Sequence, residues 1–157
     1  MNKEILILGI GNILLRDEGA GIAVVNSLQK QNLPDNVEVI DGGTAGFDLL
    51  DIIADRKAII LIDAIDAGYP PGTVVRFVAD DLKASKNPQL SVHNIDFAQT
   101  LYLAGLLGCA PQKVIIFGIQ PGSVEPGLNL TELVAGRIFQ IAALVREELE
   151  VLLPTIS

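Results

Sequence analysis

The stretch LGIGNILLRDEGAG, residues 8–21, joins a predicted strand to a predicted helix through a glycine-rich turn. A dinucleotide-binding turn carries a further glycine three residues after its second one, where helix and strand pack close to a pyrophosphate. Leu14 stands at that position here, and Asp17 and Glu18 follow it. These two carboxylates would repel a phosphate at close range. The pattern therefore predicts a strand–turn–helix unit that binds something other than a nucleotide.

Outward from this unit, strand and helix signals alternate with short joins. Apolar runs predict strands at Glu4–Ile10, Val37–Ile40, Ala58–Ile62, Thr73–Val78 and Val114–Gly118. Apolar residues at helical spacing predict helices at about Gly19–Lys30, Gly46–Asp55, Asn94–Leu107 and Leu130–Leu152. The last helix carries an apolar stripe that should pack on the sheet, and the polar Thr131 and Glu132 near its start should help to satisfy free amides.

The strand sequences also predict the kind of sheet. The first, third and fifth strands are continuous apolar runs, which is typical of strands buried on both faces. The fourth, TVVRFV, contains Arg76 and is expected at an edge. Ten residues separate it from the third strand, too few for a crossover helix, so it should run antiparallel. We predict an α/β fold with three α/β/α layers around a mostly parallel, five-stranded twisted sheet with one antiparallel edge strand.

Composition limits the class of protein. The 157 residues suit one domain, residues 1–157, and half of them are hydrophobic. A formal net charge of −8 argues against nucleic acid and anionic membranes as partners. Without a signal-peptide pattern or an apolar run long enough for a membrane helix, and with Cys109 as its single cysteine, the sequence predicts a cytoplasmic location.

Candidate functional residues collect at the carboxyl ends of the strands, where open α/β sheets bind their ligands. Glu18, Asp41 and Asp63 are expected at this edge, and the only histidine, His93, begins a predicted helix. Two carboxylates and an imidazole can hold a divalent metal such as Ni²⁺, Zn²⁺ or Mn²⁺. Three protein ligands would leave positions open for water or substrate, as in a reactive site.

Structural interpretations compete with this one. Asp17 could cap a helix, and Glu18 could interact with the helix dipole. Asp41 could form an Asx turn before its two glycines, and His93 could be a solvated or capping residue. Asp63 is harder to explain in this way, because a carboxylate that ends a buried strand is costly unless something pairs with it.

Other candidates are weaker. Cys109 lies before Ala-Pro at a helix end and is expected to be inert and buried. Neither Ser91 nor Ser123 lies in the G-x-S-x-G turn of a serine hydrolase. The glycines of DGGTAG at 41–46 predict a tight turn, whose exposed main chain could also bind an extended peptide.

Read together, five stretches resemble the [NiFe]-hydrogenase maturation endopeptidase family. In chain order they are GIGNILLRDEGAG, DGGTAGFDLL, LIDAIDAGYPPG, SVHN and GIQPGSVEPGLNLT. The resemblance implies a phosphorylase/hydrolase-like fold with the antiparallel strand beyond the fifth strand rather than beside the third. It places metal binding on Glu18, Asp63 and His93 and implicates Asp41 in activity. Thr131 stands where serine is common in the family.

The reaction that the resemblance implies is a single cut. The substrate would be the precursor of a [NiFe]-hydrogenase large subunit, which loses a C-terminal extension after nickel insertion. Nickel in the substrate would be the recognition element, with Zn²⁺ or Cd²⁺ as substitutes in a crystal. Either a metal-activated water or a carboxylate general base could perform the chemistry. The alternative is a non-catalytic nickel or metal chaperone that uses the same Glu-Asp-His site.

Overall fold

The computed structural model describes residues 2–43, 49–79 and 95–156 as alternating strands and helices. The strands are β1 Ile5–Ile10, β2 Val37–Gly43, β3 Ala58–Ala64, β4 Val74–Val78 and β5 Lys113–Ile119. The helices are a 3₁₀ turn at Arg16–Gly19, α1 Ala20–Gln29, α2 Leu49–Ile53, α3 Ile95–Leu106, α4 Glu132–Ala135 and α5 Ile138–Ile156. In this part of the chain no helix is both long enough and apolar enough to span a bilayer.

The strands form one five-stranded sheet in the order β2-β1-β3-β5-β4. All neighbours pair in parallel except β4, which runs antiparallel to β5 at the edge. The predicted fold class is confirmed, as is the direction of the strand that contains Arg76. The family resemblance implied that this strand lies beyond β5 rather than beside β3, and the sheet order confirms it.

Helices cover both faces of the sheet and give the molecule three layers. On one face α1 and α5 bury a cluster that includes Ile60 of β3 and Val145 of α5. On the other face α2 and α3 cover a second cluster, to which Leu61 and Phe97 contribute. Because successive residues of a strand point to opposite faces, the apolar runs of the three central strands fill both clusters.

The second strand is longer than its sequence predicted. It continues through Asp41 and Gly42 to Gly43, because β1 offers backbone partners along the whole length. Asp41 pairs with Gly9, and Gly43 pairs with Ile10 after a register shift. The predicted end at Ile40 was therefore wrong. Backbone pairing extends a strand through residues whose side chains do not favour one.

The predicted single helix over Leu130–Leu152 is two helices. Arg137 donates its amide to the Val134 carbonyl three residues earlier, a 3₁₀-type bond that tightens the chain between α4 and α5. The apolar stripe is confirmed, since its members from Val134 onward pack into the cluster beneath α1 and α5. Leu130 lies before α4 and packs against the same cluster.

Candidate functional site

Close backbone packing brings the first loop against the middle of the sheet. A Cβ atom on Gly21 would lie 2.3 Å from the carbonyl oxygen of Ile62, so the start of α1 rests directly on β3. Gly11 has a φ of +139°, and a Cβ there would lie 1.9 Å from the Glu18 carbonyl oxygen. Side chains at these two positions would push the turn off the sheet. Gly11 and Gly21 do not form a nucleotide-binding fingerprint, and they allow the turn to pack closely on the sheet.

Asp63 is a buried carboxyl group at the end of a central strand. It is the last residue but one of β3, pairs with Gly118 of β5, and is only 4% exposed. Burial raises the pKa of Asp63 well above its usual range, and the negative charge of Glu18 raises it further. A backbone hydrogen bond with Ala64 opposes these effects without cancelling them. The site therefore disfavours the ionised carboxylate when no cation is bound.

Glu18 acts on Asp63 electrostatically from the 3₁₀ turn. The turn packs against β3, and the half-buried Glu18 lies in it three residues before Gly21. Two of the predicted site residues, which are 45 positions apart in the chain, are thus brought together at the carboxyl edge of the sheet.

Asp17 makes a different set of contacts from its neighbour. Its side chain is 0% exposed, and its Oδ2 accepts hydrogen bonds from the amides of Gly122 (2.7 Å) and Ser123 (3.1 Å). The Thr131 hydroxyl donates to Oδ2 (2.7 Å) and the Thr131 amide to Oδ1 (2.8 Å). Burial raises the pKa of Asp17, but these hydrogen bonds outweigh it and leave the pKa below its ordinary value.

These contacts correct two expectations. Leu15 and Gly19 are the N-cap residues of the 3₁₀ turn and of α1, so Asp17 does not cap its own helix. Thr131 is the N-cap residue of α4, but its hydroxyl makes no capping bond within α4 and binds Asp17 instead. The Asp17 carboxylate satisfies the Thr131 amide at the start of α4 from across the fold.

Asp41 forms the Asx turn that was considered as an alternative. Its Oδ1 accepts the Gly43 amide at 2.9 Å, its side chain is exposed, and Gly43 has a φ of +50°. Within residues 2–43, 49–79 and 95–156, no three His, Cys, Asp or Glu side chains are grouped closely enough to hold a metal. Asp41 therefore does not complete a three-ligand group with Glu18 and Asp63.

His93 lies outside the described residues, as do Ser91 and Gly46. Binding of a metal by Glu18, Asp63 and His93 together therefore stays a prediction. Among the described residues, Arg56, Lys57 and Arg76 pair with Glu38, Glu4 and Glu148, and none of these three ion pairs involves Asp63.

Gln120 shapes the loop after Asp63 and was not recognised in the sequence. This buried side chain accepts hydrogen bonds from the amides of Ala67 (2.8 Å) and Tyr69 (3.2 Å) and donates to Asp66 (3.0 Å). The signal was available, because Gln120 is a polar residue directly after a buried strand, as Asp63 is at the end of β3. Such groups need a partner in the folded state.

The weaker candidates keep structural roles. Cys109 is half-buried, packs against the cluster beneath α2 and α3, and lies shortly before β5 begins, away from the carboxyl edge. The Ser123 carbonyl accepts the Asp17 amide, its own amide donates to the Asp17 carboxylate, and its hydroxyl accepts the Glu125 amide at 3.4 Å. Neither arrangement is typical of an activated nucleophile.

Comparison with known proteins shows which family shares this fold and sequence. A family model described as hydrogenase maturation protease matches residues 22–148, most of the chain. The chain belongs to the hydrogenase maturation protease family. This confirms the resemblance found in the five sequence stretches, and it classes the protein with peptidases.

Relatives of the maturation protease family match over nearly the whole chain. It is 39% identical over 150 residues to the hydrogenase 2 maturation protease of Escherichia coli, covering 92% of each. It is 40% identical over 149 residues to the hydrogenase expression/formation protein HupD of Rhodobacter capsulatus, covering 92% of this chain and 71% of that one. The solved structure of the hydrogenase-maturating endopeptidase HybD from E. coli superposes with a TM-score of 0.80 at 38% identity, covering 92% of this chain and 93% of HybD.

Proposed function

We propose that this protease removes the C-terminal extension from the precursor of a [NiFe]-hydrogenase large subunit after nickel has been inserted. The observation that carries the proposal is the buried Asp63 beside Glu18, at the ligand-binding edge of a maturation-protease fold. Glu18, Asp63 and His93 are the residues that would engage the nickel, which belongs to the substrate. Asp41 would act only through the Asx turn that it forms.

The donor set fits a divalent cation. A buried carboxyl group whose pKa is raised by burial and by a second carboxylate becomes easier to ionise when a cation arrives. Oxygen and imidazole nitrogen donors suit Ni²⁺, with Zn²⁺ or Cd²⁺ able to take its place. These residues alone should bind a free ion weakly, so that productive docking requires a precursor that already carries nickel.

The two carboxyl groups also supply the acid–base chemistry. A divalent ion held at these residues would polarise the scissile carbonyl or activate a water molecule. The water that attacks must lose a proton, and either Glu18 or Asp63 can accept it. The carboxyl group that has taken this proton can then pass it to the leaving amine.

The test is the intact mass of a large-subunit precursor after incubation with the protease. We expect loss of a C-terminal fragment from the nickel-loaded precursor and no change in the nickel-free precursor. Asp63→Asn and His93→Ala should abolish the cut. Asp35→Asn is the matched control, because it replaces an exposed aspartate that lies before β2, at the opposite edge of the sheet.

The chaperone alternative makes the opposite prediction. It requires stoichiometric metal in the purified protein, transfer of that metal to the partner and an unchanged partner mass. Membership of a protease family does not favour it. An uncut nickel-loaded precursor together with measured metal transfer would replace the endopeptidase proposal with the chaperone.

A further inference from the structure

Asp17 binds the chain at Gly122–Ser123 and again at Thr131, while its neighbour Glu18 lies in the same 3₁₀ turn, which packs against β3. We infer that Asp17 is a positioning residue: with Thr131 it fixes the 3₁₀ turn that places Glu18 at the carboxyl edge of the sheet, where Asp63 lies. This inference rests on the proposed function only for its effect on cleavage. The geometry that it predicts can be measured without any substrate.

The Asp17 carboxylate accepts hydrogen bonds at both of its oxygens. Four donors from Gly122, Ser123 and Thr131 point at one carboxylate that is 0% exposed. The Asp17 amide in turn donates to the Ser123 carbonyl at 3.0 Å. Charge-assisted hydrogen bonds of this kind are stronger and more geometrically demanding than bonds between neutral groups. The side chain therefore has one position and fixes the backbone to which it is attached.

Asp17 and Glu18 are neighbours in the backbone of one short turn. Both residues lie within the four-residue turn Arg16–Gly19, so a displacement of one backbone moves the other. Gly11 packs against the Glu18 carbonyl on one side of the turn, and Asp17 ties the turn to the loop after β5 on the other. The turn is thus held from both sides, and these contacts fix the backbone position from which the Glu18 side chain extends.

The hydrogen bonds of Asp17 join segments that are far apart in the chain. Asp17 and Thr131 are 114 residues apart, and further bonds join the same two segments. Gly127 donates to the Leu14 carbonyl at 2.8 Å, and Arg16 donates its amide to the Gly127 carbonyl at 3.1 Å. The first loop is therefore braced by the loop that follows β5. A residue that only caps a helix bonds to its sequence neighbours. A site assembled from separate strands needs long-range contacts such as these to fix its loops.

Two substitutions separate the contributions. Asp17→Asn keeps the shape and loses the charge and one acceptor oxygen. Thr131→Val removes one hydroxyl donor and leaves the amide contact to Oδ1. Thr131→Ser keeps the hydroxyl and is the matched control. Circular dichroism establishes that each variant is folded at the assay temperature.

Cleavage of the nickel-loaded precursor provides the first readout. A 1 Å displacement of a reacting group can lower a rate by about 100-fold, so we expect Asp17→Asn to reduce kcat by about that factor. KM should rise as well, because Glu18 is one of the residues proposed to engage the substrate's nickel. Thr131→Val should lower kcat by about 10-fold, and Thr131→Ser should restore it.

Crystal structures of the metal-free wild type and variants provide the second readout. We expect the separation of the Glu18 and Asp63 carboxyl groups to change by about 1 Å in Asp17→Asn and Thr131→Val, and to be unchanged in Thr131→Ser. Folded variants with the wild-type kcat and separation would overturn the inference. If the wild type does not cut the precursor, the proposed function is wrong. The separation of the Glu18 and Asp63 carboxyl groups in the crystal structures then decides the role of Asp17. If Asp17→Asn does not fold, Thr131→Val decides it.

Discussion

Glu18 contributes to the raised pKa of Asp63, although the two residues belong to different elements of the fold. Burial is the larger cause, and the charge of Glu18 adds to it. Burial and the charge of Glu18 therefore both disfavour ionisation of Asp63. Under the proposed function, a cation bound at the site would offset this repulsion.

The first prediction is that Asp63→Asn stabilises the fold. The pKa of Asp63 is higher in the folded state than in the unfolded state. The stability that protonation of Asp63 gives the fold is therefore fully present below the unfolded pKa and is lost as the pH rises through the folded pKa. At pH 8 the variant should exceed the wild type by about 1–3 kcal/mol in unfolding free energy, with a smaller difference near pH 3. Urea unfolding at both pH values measures this. Lower stability of Asp63→Asn at pH 8 would contradict it.

The second prediction gives Asp17 the opposite pH dependence. Its folded pKa is lowered, so its contribution is present above the unfolded pKa and is lost as the pH falls through the folded pKa. Asp17→Asn should cost about 1.5–3 kcal/mol at pH 7, where the charged hydrogen bonds are intact. The cost should shrink below about pH 4. A urea series from pH 3 to 7 measures it, and a cost independent of pH would show that ionisation of Asp17 is unimportant.

The third prediction concerns Gly11. A Cβ there would meet the Glu18 carbonyl oxygen at a backbone φ of +139°, so Gly11→Ala should cost about 2 kcal/mol and impair cleavage. Gly105→Ala is the control, since Gly105 lies within α3 with nothing within 4 Å of an added Cβ. That variant should gain about 0.5–1 kcal/mol and keep full activity. Thermal unfolding and cleavage assays together measure both, and equal stability of the two variants would refute the close packing.

The fourth prediction separates stability from activity. The buried Arg56 guanidinium binds the Lys3 and Ile52 carbonyls and the Glu38 carboxylate, at the edge of the sheet opposite the site. Arg56→Met should cost about 3 kcal/mol, because the acceptors lose their partner. Lys57→Met removes a half-exposed pair with Glu4 and should cost at most about 1 kcal/mol.

Both variants should retain the wild-type kcat at temperatures where they are folded, which steady-state cleavage assays can measure. A reduced kcat in folded Arg56→Met would mean that the two edges of the sheet are coupled.

Some features of the site could be recognised from the sequence because their signals are local. Asp63 stands out as a charged residue ending an apolar strand, and Asp41 as an Asx-turn residue before glycines. The contacts of Asp17 could not be predicted, because nothing near Asp17 shows that Thr131 will donate to it. Gln120 carried a signal, but its partners at Ala67 and Tyr69 become visible only when the loops after β3 and β5 lie side by side.

The sequence by itself determined the α/β class, the buried central strands and the residues available at the strand ends, since periodicity and burial are properties of each segment. The family resemblance also implied that β4 lies beyond β5, which the sheet order confirms. Only the tertiary structure decided that the last helix divides near Gly136 and that Asp17 braces the first loop. These features depend on which backbone amides and carbonyls meet after the chain has folded. Pairing between segments that are far apart follows from the packing of the whole molecule and not from the propensity of any one segment.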